Sequence, residues 1–121
     1  MRKSSEVVNK RIRKDLENAY MEIIPVQGIE DRIGTLQPNM HVAVTCSPTK
    51  GVDTTLELSE KLIAQGFQVI PHISAKSVTG EKHLETIIKK LDELSIESVF
   101  VPGGDGPEPL GEFNNAYDLL K

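Results

Sequence analysis

Four polar residues stand where apolar runs end. Glu22 lies inside MEIIPV (21–26), Thr45 ends HVAVT (41–45), His72 falls near the end of FQVIPHI (67–73), and Asp105 follows SVFVP (98–102) by three residues, inside GGDGPEP. Carboxyl, hydroxyl and imidazole groups gathered at one rim can exchange protons with a bound molecule and orient it by hydrogen bonds. Singly, each has an ordinary structural use. Glu22 can point to water, Thr45 suits a strand, His72 can bond a loop carbonyl, and Asp105 can form a turn. His41 and His83, opening a strand and flanking a helix, read as solvent-facing. Jointly, the four strand-end groups read as a site.

The elements that would bring them together are set by the apolar pattern. The four runs are rich in Val, Ile and Phe and are bounded by turn residues, as strands are. Helical patterns separate them. Leu84, Ile87, Ile88, Leu91 and Leu94 keep the i, i+3, i+4, i+7 spacing, with Glu85 and Lys89 as an i, i+4 pair. Thr54 to Ile63 forms a helical segment closed by Gly66, with Thr54 and Glu57 as a capping box. A two-turn helix fits around Ile29 to Leu36, and Phe113, Ala116, Tyr117 and Leu120 lie on one face of a last one. Val8, Ile12 and Leu16 predict an N-terminal helix over residues 1–19, placed to cover the bottom or edge of the strands and helices after it. Residues 20–121 then make four βα units in one domain, an α/β alternation that implies a parallel sheet with right-handed crossovers. Open sheet and barrel both fit this order, and in either the ligand site lies beyond the carboxyl ends of the strands.

The glycine loop fits neither common phosphate motif. GGDGPEP lacks the Gly-Lys-Ser/Thr ending of a P-loop and the GxGxxG spacing of a dinucleotide fold. What Gly103 and Gly104 offer is close approach of the backbone to a flat ligand.

The totals set further bounds. At 121 residues the chain can form a real core, and its net charge of -4, with both signs interspersed, argues against nucleic acid as a partner. The basic opening MRKSSEVVNKRIRK leads into no apolar segment, so neither a secretory signal nor a membrane anchor is expected. The single Cys46 and the lack of metal-ligand spacing predict a cytoplasmic protein without a metal site.

In order and spacing, EIIPV, VAVTCSPTKG, VIPHISA and VFVPGGDGPEP resemble the first half of the methylenetetrahydrofolate reductase family. The resemblance covers about residues 20 to 120. It implies a parallel (β/α)4 half of a TIM-type (β/α)8 barrel, with an extra N-terminal helix. It also implies a flavoprotein oxidoreductase of one-carbon metabolism and methionine biosynthesis. Such enzymes reduce 5,10-methylenetetrahydrofolate to 5-methyltetrahydrofolate, with FAD as cofactor and NADH or NADPH as donor. By the same resemblance, Glu22 is the general acid toward the folate and Asp105 lies by the flavin and pterin rings. Thr45, Cys46, Pro48, His72, Gly103 and Gly104 are flavin-contacting positions. Cys46 stands where the family usually has tyrosine, and Gly103 where it usually has arginine. A half-barrel also implies self-association or a complementary chain. The alternative is a non-catalytic α/β module that binds folate, flavin or a partner chain.

Overall fold

The computed structural model describes residues 2–121, with side chains described from residue 4. It is an α/β structure built on a small parallel sheet of three strands, β1 (Tyr20–Ile23), β2 (His41–Val44) and β3 (Gln68–Pro71), in the order β1-β2-β3. The registers pair Ile23 with Val44 and Val44 with Pro71. The helices are α1 (Arg2–Glu17), α2 (Ile29–Ile33), α3 (Gly51–Ala64), α4 (Glu81–Glu93) and α5 (Ala116–Leu120).

Ile23, Val42, Val44 and Val69 all enter one buried cluster with Leu58 and Leu62 of α3 and Ile33 of α2. Their spacing of two along each strand places them on a single face, the one that carries α3. A second cluster joins Val52 and Leu56 of α3 to Ile87 of α4, Phe113 and Leu119. The opposite face, defined by Tyr20, Glu22, Ala43 and Ile70, enters neither cluster, and its Tyr20 is 58% exposed. Parallel sheets ordinarily have both faces covered; among the described residues this face is bare of helices, although Ala43 at its centre is buried.

Both long helices of the core end in the same way. Phe67 N–H bonds to Leu62 O (3.1 Å) and Gly66 N–H to Ile63 O (3.0 Å), with Gly66 at φ 93°. After α4, Ile96 N–H bonds to Leu91 O and Ser95 N–H to Asp92 O, both at 3.0 Å, with Ser95 at φ 55°. These are Schellman closures, which return orphan helix carbonyls to hydrogen bonds at the cost of a left-handed residue.

Several expectations from the sequence are corrected. The fourth strand, expected over 98–102, is reduced to a single parallel bridge between His72 and Phe100. Pro71 has no N–H to give, and residues 96–99 run apart from β3, so pairing begins late. Thr54 and Glu57 form no capping box: α3 starts earlier, at Gly51, and the Thr54 hydroxyl donates to Lys50 O (3.0 Å) within the first turn. In α4, Ile88 is exposed, and among the described residues Lys90 pairs with Glu60 while Glu85 and Lys89 form no ion pair. In α5 it is Leu119 that is buried, with Phe113 ahead of it, whereas Tyr117 and Leu120 face water. The N-terminal helix is present over Arg2–Glu17, Met1 lying outside the described residues, but it covers neither the bottom nor the edge. Val7, Val8, Ile12 and Leu16 remain half or more exposed. Among the described residues no helix is long and apolar enough to cross a membrane.

Candidate functional site at the carboxyl ends of the strands

Extending the strand registers by one residue puts Thr45 and His72 in one row beyond β2 and β3. Thr45 N–H bonds to Ile23 O (3.0 Å) and His72 N–H to Val44 O (2.8 Å), so both residues continue the ladder. His72 is bridged in turn to Phe100, with ring centroids 4.9 Å apart and planes tilted by 56°. By strand alternation Thr45 and His72 lie on the bare face, as does Glu22 one row pair earlier. Three of the four expected residues thus share one face and one end of the sheet.

The fourth reaches the rim through the backbone. Ile73 N–H bonds to Phe100 O (2.8 Å), Ala75 N–H to Pro102 O (3.0 Å) and Lys76 N–H to Gly103 O (3.0 Å), so residues 100–103 run beside 72–76 and carry Asp105 past the end of β3. Gly104 has φ 113°, and a Cβ there would lie 2.2 Å from Ser74 Oγ. The backbone conformation favours glycine, and a side chain there would also have to displace the Ser74 hydroxyl. Asp105 is exposed and its side chain makes no hydrogen bond or ion pair among the described residues.

The remaining expected positions are adjacent. Cys46 is a half-buried free thiol at the edge of the α3–α4 cluster, and Pro48 is exposed in the turn before α3. The carbonyl of Thr45 accepts from the Thr55 hydroxyl (3.0 Å), which fixes the β2–α3 turn to the buried side of α3. Glu22 is open to solvent on the bare face, so a general-acid role there depends on something covering that face.

The expectation that His41 and His83 simply face water is corrected. His41 is half-buried and its Nε2 lies 2.6 Å from Gln68 Oε1, while its buried Nδ1 has no partner among the described residues. His83 Nδ1 accepts from Thr79 N–H (3.0 Å), which leaves Nε2 to donate to Asp53 Oδ1 at 3.0 Å. Neither is at the rim: His41 opens β2, and His83 ties the start of α4 to α3. A cleft of about 460 Å³ also lies away from the rim, between the start of β3 and residues 94–98. It exists because the fourth strand leaves β3 unpaired there.

Sequence reasoning missed Lys76 and Ser74. Both sit just beyond the third strand run, where rim residues are expected, but nothing in their spacing distinguishes them from an ordinary loop. Among the described residues no group of three or more His, Cys, Asp or Glu side chains is placed to hold a metal ion. No protein-family model matches the chain.

Proposed function

We infer that the chain forms half of a (β/α)8-type barrel and acts as a methylenetetrahydrofolate reductase-like flavoprotein, in the cytoplasm. The observation that carries this reading is the sheet itself. Its strands are parallel and adjacent in chain order, as in a barrel wall, the core helices pack on one face, Thr45 and His72 lie beyond the carboxyl ends on the other, and the Gly103–Asp105 loop runs past the end of β3. The resemblance in the four strand-end motifs supplies the chemistry.

The residues present suit the ring portion of FAD. Ile24 and Phe100 leave exposed apolar surface near the rim, whereas the open side of Gly104 faces Ser74 and Lys76 of the chain itself. They suit its phosphates less well, since Lys50 Nζ is committed to Pro25 O (2.7 Å) and Lys76 Nζ to Gly106 O (3.0 Å). Thr45, Cys46, Pro48 and His72 would border the ring on one side and Gly103, Gly104 and Asp105 on the other. FAD, when bound, supplies a path for hydride from NADH or NADPH to the folate. Asp105 would accept hydrogen bonds from the pterin, and Glu22 would donate a proton to it once the face is covered.

The bare face and the free edge of β1 suit a covering partner, either a second copy or a complementary half-barrel chain. Sedimentation at micromolar concentration tests this: a well-folded monomer that does not associate would count against it. For the activity, the purified protein is titrated with FAD, followed by anaerobic NADH or NADPH. Bound flavin that bleaches, and methyltetrahydrofolate formed from the methylene substrate, are expected. No flavin bound even with a covering partner supplied would overturn the reading. A second reading, a non-catalytic module, is favoured by Gly103 occupying the position of an expected cation; binding without bleaching is its signature.

A further inference from the structure

We propose that Lys76 is the positioning residue of this site: it grips the glycine loop at three points and thereby sets where Asp105 is presented. The proposal rests on the reading that Asp105 belongs to the site, but the grip on the loop stands independently of it.

Asp105 has no side-chain partner among the described residues, so its direction is set by the backbone that carries it. That backbone has little stiffness of its own, because Gly103, Gly104 and Gly106 flank the aspartate. Order must come from outside the loop, and Lys76 supplies it with every polar group it has. Its N–H donates to Gly103 O (3.0 Å), its carbonyl accepts from Leu110 N–H (2.8 Å), and its Nζ donates to Gly106 O (3.0 Å). These contacts fall before, beyond and immediately after Asp105. Ser74 adds only a long bond, Oγ to Gly103 O at 3.4 Å. Of the three bonds from Lys76, the ammonium contact is charge-assisted and is the one a side-chain substitution removes.

The two backbone bonds survive in Lys76→Met, so the variant is expected to fold. Amide hydrogen exchange, followed by NMR, is the first readout. In Lys76→Met the Leu110 amide and its loop neighbours should exchange about tenfold faster, with α3 amides unchanged, and Lys76→Arg should restore slow exchange. Unchanged loop exchange in Lys76→Met overturns the proposal, as does an equal acceleration in α3, or failure of Lys76→Arg to rescue.

The second readout is FAD titration. Lys76→Met should weaken binding as Asp105→Ala does, and the double variant should be no weaker than either. If Asp105→Ala weakens binding and Lys76→Met does not, the proposal is overturned. If the unaltered protein binds no FAD even with a covering partner supplied, the flavin reading fails, and the exchange measurement alone decides whether Lys76 holds the loop.

Discussion

His72 and Phe100 are bridged in parallel with their rings 4.9 Å apart, at the point where the fourth strand run first meets the sheet. Phe100 is nevertheless more than half exposed, so its ring contributes mainly through contact with the imidazole rather than through burial. Phe100→Ala should therefore cost about 1 kcal/mol in urea unfolding. Leu62→Ala, which empties a fully buried position between α3 and the sheet, should cost about 2 to 5 kcal/mol. Equal losses would mean that Phe100 is covered in solution, as by a partner on the bare face.

The two Schellman closures predict opposite responses to exchange of side chain. Ser95 occupies the left-handed position that glycine fills best, and Ser95→Gly should stabilise the chain by roughly 0.5 to 1 kcal/mol. Gly66→Ala, where space is open but φ is positive, should destabilise it by about 1 kcal/mol. Thermal unfolding of both variants checks the sign, and a destabilised Ser95→Gly would contradict the left-handed backbone there.

Gly104→Ala meets both a positive φ and Ser74 Oγ, and should lose about 1 to 3 kcal/mol while displacing the Asp105 loop. Adding Ser74→Ala removes the closest clash and should recover part of that loss. A strictly additive pair of variants would show that the two residues do not touch.

Lys61 and Lys90 have pKa values raised above the ordinary lysine value, chiefly by hydrogen bonds to Glu30 and Glu60 respectively. A raised folded-state value means that these pairs stabilise fully below the unfolded lysine pKa of 10.5, and that this is lost as pH rises through the folded value. Both ammonium groups are in contact with solvent, so salt should screen the effect. Unfolding midpoints at pH 7 should change little in Glu30→Gln, and the alkaline fall in stability should be slightly shallower in that variant.

The sheet is legible in the sequence because Val42, Val44 and Val69 alternate with residues of the other face, and Gly66 marks the end of α3. The fourth strand is not: SVFVP has strand composition, but composition carries no information about whether Pro71 leaves β3 a donor to pair with. The capping box fails because Gly51 lets α3 begin three residues earlier than Thr54. The free stance of α1 is hidden for a different reason, since an apolar stripe tells that a helix wants a neighbour and not whether one is within reach. At the site, residue type and strand-end position mark Thr45, His72 and Asp105, while the grip of Lys76 depends on backbone carbonyls that no side-chain pattern reports.

The coincidence of sheet order with chain order also bears on how the molecule is made. Each strand leaving the ribosome finds its neighbour already synthesised, so β2 can add to β1 and β3 to β2 without waiting for distant sequence. This order permits vectorial growth of the sheet, in which the newest strand is at every stage one of its two exposed edges. The last such edge, at Phe100, is open for as long as nothing arrives to pair with it.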